Sequence, residues 1–328
     1  VRCPARGGAM NPPWGSEFVL GGQAVIEGVM MKGARTYAVA VRKPNGEIRV
    51  RDFPVSETRV RTHLSRMPLL RGIVTLAAML AIGYRALRFS ADEAIDDAER
   101  RETGGSARIR EEGGGKDSGL VMALGLGLGL LLGVGLFFWL PLVLTRWVTV
   151  FLPVLSGRIA FNLLDGVIRV LVFLVYVLGI GMMRDVRRIF QYHGAEHKVV
   201  HAYEKKADLV PENVAEFPSL HPRCGTSFLL FVMVISIAVF SLIPHESSLL
   251  GKALMRLLLL PAVAGISYEA LRYSARHGGS GFFRALVFPG LLLQRLTTRE
   301  PDLAQIEVAI ASLQRLAPGA GTEGVHVG

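Results

Sequence analysis

The sequence predicts a mainly α-helical membrane protein with about four transmembrane helices and a small antiparallel β-meander near the N-terminus. The chain is 51% apolar and its mean hydropathy is +0.39, which is high for a soluble protein. Its apolar residues gather in long blocks with few or no charges, and such blocks can cross a hydrocarbon core of about 30 Å. Before these blocks, apolar and polar residues alternate around an Asn-Gly pair, which is the pattern of a β-hairpin.

The N-terminal segment is predicted to be a tail followed by strands. Residues 1–16 are rich in Arg, Gly and Pro and lack an apolar core, so they predict a disordered tail and not a signal sequence, with Met10 as an alternative start. The segments GGQAVIEGVMM, TYAVAVRK and EIRVRDFPV then predict about three strands. Pro44-Asn45-Gly46 is the expected hairpin turn.

Two further segments complete the predicted cytosolic region 17–118. The stretch from Pro68 to Leu87 is apolar but has Arg71 and Arg85 near its ends, which predicts a helix that lies in the membrane interface or re-enters the membrane. Residues 91–118 are charged and Gly-rich, and they predict a flexible linker.

The membrane region is predicted to cover residues 119–271 and to contain four helices. These spans are residues 119–145, 166–183, 226–244 and 249–271. Asp165 and Arg169 lie one helical turn apart near the start of the second span. We expect them to form an ion pair, because pairing lowers the cost of placing an arginine in lipid.

The C-terminal region, residues 272–328, is predicted to return to the cytosol. Residues 282–296 are apolar but interrupted by Arg284, Pro289 and Gly290, which predicts an interfacial or broken helix. Residues 302–316 repeat apolar side chains at helical spacing and predict an amphipathic helix. Its apolar positions are Leu303, Ile306, Ile310 and Leu313.

The basic residues predict the orientation in the membrane. Lys and Arg number 19 in residues 1–118, seven in 184–225 and six after residue 271, against two in 146–165. Because basic residues that flank spans prefer the cytosolic side, both termini and the His-rich loop 184–225 are predicted to be cytosolic. The net charge of +10 therefore indicates a lipid bilayer with an anionic inner leaflet as partner, and nucleic acid is disfavoured.

The stretch QYHGAEHKVVHAYE, residues 191–204, predicts a metal site. His193, His197 and His201 are four residues apart and share one face of a helix. Residues 193–197 match HxxEH, a zinc-peptidase pattern in which two histidines bind the ion and the glutamate acts on a water. Glu196 is then the predicted catalytic residue. A simpler interpretation is that these side chains form hydrogen bonds at a helix end.

A zinc site needs three or four protein ligands, so the motif requires further side chains. The available completions are His201, His221, Cys224 and Glu269. Cys224, one of two cysteines, could instead be a small buried residue beside a helix cap at Thr226 or Ser227. Glu27, a carboxylate inside an apolar run, could bind a metal, pair with Arg35 or face solvent from a strand edge.

Six motifs together resemble a known family. They are GGQAVIEGVMMKG, AVAVRKPNGEI, YHGAEHKVVHAYE, HPRCGTSFL, AGISYE and LTTREPD. In this order, from about Leu20 to Leu316, they resemble the YqhQ-like family of bacterial membrane proteins, which are often described as predicted metal-dependent enzymes of the inner membrane. The chain departs from the family pattern before Met10 and in the Gly-rich segment 103–118.

The resemblance implies a divalent metal, with zinc the best fit, at the bacterial inner membrane. The implied metal residues are His193, Glu196, His197, His221 and Cys224, with Glu27 and Glu269 in the other motifs. The enzyme expected from this set is a hydrolase in which the ion lowers the pKa of a water and Glu196 accepts its proton. Its expected substrate is a lipid-linked molecule or a membrane-tethered peptide.

Two other classes of function were weighed against a hydrolase. The main alternative is a non-catalytic membrane scaffold that recruits a protein partner, with the His and Cys residues holding a closed structural zinc or forming a hydrogen-bonded cluster. A transporter is disfavoured, because the spans 119–145 and 226–244 contain no charged residue.

Overall fold

The computed structural model describes residues 21–55, 67–102, 116–221, 224–243, 248–276 and 281–316. The predicted disordered tail, residues 103–115 of the predicted linker and Pro222 lie outside the described residues.

The N-terminal segment forms a four-stranded antiparallel meander, with the strands side by side in chain order. The strands are β1 (Gly21–Val25), β2 (Gly28–Lys32), β3 (Thr36–Arg42) and β4 (Ile48–Pro54). The sequence predicts about three strands, and the structure has four because the segment GGQAVIEGVMM is divided between β1 and β2. Glu27 has a φ of 50° and turns the chain between β1 and β2. Gly46 has a φ of 90° in the β3–β4 hairpin, as the Asn-Gly pair predicts.

Helices make up most of the remaining described chain. They are α1 (Leu70–Glu102), α2 (Lys116–Val134), α3 (Leu140–Phe151), α4 (Arg158–Ile180), α5 (Arg184–Glu204), α6 (Pro211–Ala215), α7 (Gly225–Phe240), α8 (Leu249–Arg276), α9 (Gly281–Thr297) and α10 (Leu303–Leu316). A π-helical turn, Gly135–Trp139, joins α2 to α3 without a break, and a 3-10 turn, Pro153–Ser156, precedes α4.

Four of the described helices are long and apolar enough to cross a membrane, which fits an integral membrane protein. These segments are Leu70–Ile95, Gly127–Phe151, Arg158–Ile180 and Leu249–Ser274. The number agrees with the sequence analysis, but the membership differs. The expected span 226–244 becomes α7, whose 16 residues are fewer than the roughly 20 of a typical span. Residues 91–102 of the expected linker are helical, because α1 continues to Glu102.

Both faces of the sheet are covered by helices. Val29 and Ala40 pack on α5 and α10 on one side. Tyr37 and Val39 pack on the other side against the second half of α1, through residues that include Phe89. Because successive residues of a strand point to opposite faces, a strand covered on both sides needs apolar residues throughout, which explains the sequence TYAVAVR of β3.

The helix α10 joins the last part of the chain to the sheet. Its predicted apolar positions Ile306, Ile310 and Leu313 are buried, whereas Leu303 is 47% exposed. The buried hydroxyl of Ser312 accepts a hydrogen bond from the Met31 N–H at 3.2 Å and donates one to the Ala38 carbonyl at 3.0 Å. A helix near the C-terminus thereby bonds directly to two neighbouring strands.

A buried ionic network connects three of the apolar helices. Asp165 of α4 accepts hydrogen bonds from Arg169 at 2.5 Å and from Arg256 of α8 at 2.8 Å. Arg169 also donates to the hydroxyl of Ser236 in α7 at 3.2 Å. The spacing of Asp165 and Arg169 predicts their pairing, but the contribution of α8 depends on the fold. Shared hydrogen bonds of this kind offset the cost of burying the charges.

We expect Ser312→Ala to destabilise the protein by about 1–3 kcal/mol, because the substitution removes a buried hydrogen-bond partner from the Met31 N–H. Thermal unfolding of the detergent-solubilised chain, followed by circular dichroism, measures the effect. Ser156→Ala is the matched control, since the exposed Ser156 hydroxyl bonds only within its own turn. Equal melting temperatures for the two variants would contradict the role of Ser312.

Candidate metal centre

The helix α5 carries the centre within the predicted His-rich segment 184–225, and it confirms that His193, His197 and His201 lie on one helix. One face of α5 is apolar and packs into the cluster formed with the sheet and α10, through Ala195, Val199 and Ala202. The opposite stripe repeats imidazoles every four residues, at His193, His197 and His201. Because the apolar face is fixed by packing, the imidazole stripe is held in one direction.

Gly194 allows α5 to approach the segment that joins α9 to α10. A Cβ at this position would lie 2.2 Å from the carbonyl oxygen of Arg299. The same segment is bonded to α5 by the Arg299 N–H, which donates to the Phe190 carbonyl at 2.9 Å. A glycine weakens a helix by about 1 kcal/mol relative to alanine. The close contact with Arg299 explains why a glycine stands at position 194, between His193 and His197.

The first ligand group consists of His193, His197 and Cys224, whose ligand atoms lie within 4.8 Å of one another. Nδ1 of His193 lies 2.9 Å from the Thr297 carbonyl oxygen, and Nδ1 of His197 lies 2.6 Å from that of Ser219. Since a carbonyl oxygen only accepts, both Nδ1 atoms carry the hydrogen. Each Nε2 is then left with its lone pair, and that of His193 is 3.3 Å from the Cys224 Sγ.

Two further features of this group suit a cation. Among the described residues, the buried Nε2 of His197 has no hydrogen-bond partner. Cys224 is the N-cap of α7, and its Sγ accepts from the Thr226 N–H at 3.4 Å. The N-terminus of a helix stabilises a thiolate, which is the ligand form of cysteine. The predicted cap at Thr226 or Ser227 is therefore wrong, because Cys224 itself caps α7, and this role is compatible with binding a cation.

Glu196 is buried beside the first group, against strand β1. Burial raises the pKa of Glu196 to about 7, while His193 and a backbone hydrogen bond from Gly22 act in the opposite direction. Its Oε2 lies 3.7 Å from the Nε2 of His197. A Cβ on Gly22 would lie 2.7 Å from the Glu196 Cγ, so the glycine makes room for the carboxylate. The contact joins two motifs, around Gly22 and around Glu196, that no local spacing in the sequence connects.

The second ligand group consists of His201, Glu204 and His221, and its ligand atoms also lie within 4.8 Å of one another. Nε2 of His201 lies 2.9 Å from the Leu220 carbonyl oxygen, and Nε2 of His221 lies 3.5 Å from the Glu204 Oε2. Burial and the neighbouring His201 lower the pKa of His221 to about 4. Sequence reasoning missed Glu204, although its position three residues after His201 places the two on one helix face.

The structure does not bring Glu27 or Glu269 into either described group. Glu27 is paired with Arg188 through both carboxylate oxygens and accepts a hydrogen bond from the Tyr192 hydroxyl at 3.3 Å. Its partner is therefore Arg188 and not Arg35. Glu269 forms a two-point pair with Arg71, which links α8 to the start of α1. Glu27 thus links the β1–β2 turn to α5, and Glu269 links α8 to α1.

Buried polar side chains fix the segment that carries His221. The Nζ of Lys198 donates to the carbonyl oxygens of Ala215 at 2.7 Å and Phe217 at 2.6 Å. The same Nζ pairs with Glu300 at 2.6 Å. Gln294 of α9 exchanges two hydrogen bonds of 2.9 Å with the backbone of His221. These contacts bond α5 and α9 to the chain that supplies the remaining ligands.

Comparison with known proteins assigns the chain to a family. Residues 67–318 match the model of a family described as a protein of unknown function (DUF1385). The chain belongs to this family. It is also 36% identical over 301 residues to the uncharacterized protein YqhQ of Bacillus subtilis (strain 168), covering 90% of this chain and 91% of that protein. No solved structure matches the chain. The resemblance drawn from the six motifs is confirmed, and neither description names an activity.

We expect Gly194→Ala to destabilise the protein by about 1–3 kcal/mol despite the better helix propensity of alanine, because its Cβ overlaps the Arg299 carbonyl. The measurement is thermal unfolding in detergent. Gly179→Ala in α4 is the control, since the space around Gly179 is open, and it should be neutral or slightly stabilising. A wild-type melting temperature for Gly194→Ala would show that the two segments can separate without cost.

Proposed function

We propose that this protein is a metal-dependent hydrolase of the bacterial inner membrane, with zinc bound by His193, His197 and Cys224. The observation that carries the proposal is the convergence of three ligand atoms within 4.8 Å, on side chains whose second contacts fix their protonation state. Backbone carbonyls that orient the far ring nitrogen are a common feature of zinc-binding histidines. Three protein ligands leave the fourth zinc position open, as catalytic sites do.

The chemistry assigned to the chain's own residues centres on Glu196. A zinc ion, when bound, would activate a water and polarise the bond to be cleaved. Glu196 faces the same nitrogen of His197 that is left for the ion, and it would accept the proton of the attacking water. Its pKa of about 7 suits a general base that works near neutral pH. His193 and Cys224 are half-buried, so these two side chains are partly accessible from outside the group.

Charge and packing support a cytosolic location for the centre. The segment 184–225 holds seven basic residues, whereas the segment 146–165 at the other end of α4 holds two. The sheet near the N-terminus and α10 near the C-terminus both pack on α5, and the second half of α1 packs on the sheet. We therefore infer that α1 lies in the membrane interface and does not cross, so that the sheet, α5 and α10 share one side of the membrane. We infer that the centre faces the anionic inner leaflet and takes a lipid-linked molecule or a membrane-tethered peptide.

A non-catalytic scaffold with a structural zinc is the second candidate. The observation in its favour is the burial of the site, since His197 is 2% exposed and Glu196 is 6% exposed. In a closed site a fourth protein ligand would replace the water. X-ray absorption spectroscopy of the zinc-loaded protein distinguishes the two, because the hydrolase requires an oxygen ligand from water beside two nitrogens and one sulfur.

We expect His193→Ala and Cys224→Ala each to hold one zinc ion fewer per chain than the wild type, because each removes one of the three ligands of this site. Mass spectrometry of the detergent-purified, folded variants measures the zinc content per chain. Glu269→Gln is the control, since this carboxylate is paired with Arg71 and should leave the zinc content unchanged. A folded wild type that stays metal-free after incubation with zinc, manganese and iron would overturn the metal site.

We expect Glu196→Gln to keep its zinc and to lose hydrolysis by about 10²–10⁴-fold, because the amide cannot accept the proton. Rates are measured on chromogenic carboxylate and phosphate esters and on quenched peptides in lipid–detergent micelles. Glu212→Gln, an exposed carboxylate on α6, is the control and should hydrolyse at the wild-type rate. Unchanged turnover in Glu196→Gln would contradict the assigned base.

A further inference from the structure

The metal-ligating stripe of α5 continues beyond the first ligand group. His201 follows His197 by one turn, and Glu204 follows His201 by three residues on the same face. His221 comes from the chain after α6 and completes the second group. The ring of His221 lies 4.5 Å from that of His201 and 5.9 Å from that of His197. The two groups are therefore neighbours in one row of four imidazoles.

One ion cannot be shared by both groups. Ligands of a zinc ion lie about 2.0–2.3 Å from it, so two ligand atoms of one ion are at most roughly 4–4.5 Å apart. His193 and Glu204 are 11 residues apart on a continuous helix, a rise of about 16 Å along its axis. Within the described residues the ligand atoms accordingly gather into two sets of three.

Neighbouring groups orient the side chains of the second group, as they do for the ligands of known metal sites. The Nε2–H of His201 donates a hydrogen bond to the Leu220 carbonyl, so the lone pair that could bind a metal is on Nδ1 of that ring. The carboxylate of Glu204 lies 3.5 Å from Nε2 of His221, a long hydrogen-bond or ion-pair contact that a cation between the two ligand atoms would replace. Gln294 holds the His221 backbone from both its N–H and its carbonyl. The ligand positions are therefore fixed by contacts outside the group.

We propose that His201, Glu204 and His221 bind a second divalent cation, so that the centre holds two ions. Two imidazoles and one carboxylate suit zinc, manganese or iron, whereas the thiolate of the first group favours zinc. A second ion extends the proposed function. Only the first ion depends on that function, because the two sets share no ligand. A second cation beside a hydrolytic centre stabilises negative charge on the bond that is cleaved.

The test is the metal content of the full chain in detergent after loading with zinc, manganese or iron(II) and removal of the excess. We expect two ions per chain in the wild type and in the control Glu212→Gln, and one ion in His201→Ala and in Glu204→Gln. Glu204 is exposed at the end of α5, so its substitution should leave the fold intact, which circular dichroism checks. In the cobalt-loaded protein, the thiolate-to-cobalt absorption should persist in both variants and disappear in Cys224→Ala.

The outcomes separate this inference from the proposed function. One ion per wild-type chain that is lost in Cys224→Ala and kept in His201→Ala and Glu204→Gln would overturn the second site and leave the proposed function standing. One ion that is lost in His201→Ala and Glu204→Gln but kept in Cys224→Ala would support this site and overturn the first. A wild type without any bound ion would overturn both.

Discussion

The burial of one face of α5 is the constraint on which the candidate centre depends. The sheet and α10 cover that face, and the packed residues leave the helix no freedom to rotate. The histidines on the opposite face are therefore held in a row. Cys224 and the Ser219–His221 segment contact this row. Functional side chains on a regular helix with a packed back are positioned more accurately than side chains on a loop.

The polar groups around α5 also hold the histidines in place, but burying these groups costs free energy. Lys198 and Glu196 are 3% and 6% exposed, and charges so deeply buried need partners. Lys198 finds three oxygens, and each Nδ1 of the first two histidines finds a carbonyl. Backbone carbonyls from α9 and from the chain after α6 thus fix the protonation state of the imidazoles. The site is assembled from three distant parts of the sequence.

Much of the fold follows from local pattern. The Asn45-Gly46 pair predicts the β3–β4 hairpin, the four-residue spacing of the histidines predicts one helical face, and the apolar blocks predict membrane helices. Glu27 could not be read in this way, because its positive φ is set by the turn between two strands that are each only five residues long. The length of α7 could not be predicted either, because the sequence stays apolar for a few residues after the helix ends at Phe240.

The partners of isolated charges are harder to predict than the elements. Glu27 and Arg188 are 161 residues apart, and Arg71 and Glu269 are 198 apart, so no local spacing connects them. Gly22 and Glu196 belong to different motifs, and only the packing of β1 on α5 shows why one is a glycine. By contrast, Glu204 could have been found, because it stands one turn after His201 in the same motif. The pairing of residues that are far apart in the chain is thus the main feature that could not be predicted from the sequence.

The contact of α10 with the sheet also bears on the order in which the protein is made. The strands leave the ribosome first, but the helix that covers one of their faces is synthesised after every predicted span. At about 5–20 residues per second, that apolar face waits for some tens of seconds while the intervening helices enter the membrane. The packing around the sheet and α5 is therefore complete only after α10 has been synthesised, and the row of imidazoles on α5 becomes rigid no earlier than that. Premature termination before residue 303 would leave the membrane part in place, with one face of the sheet covered by α5 alone.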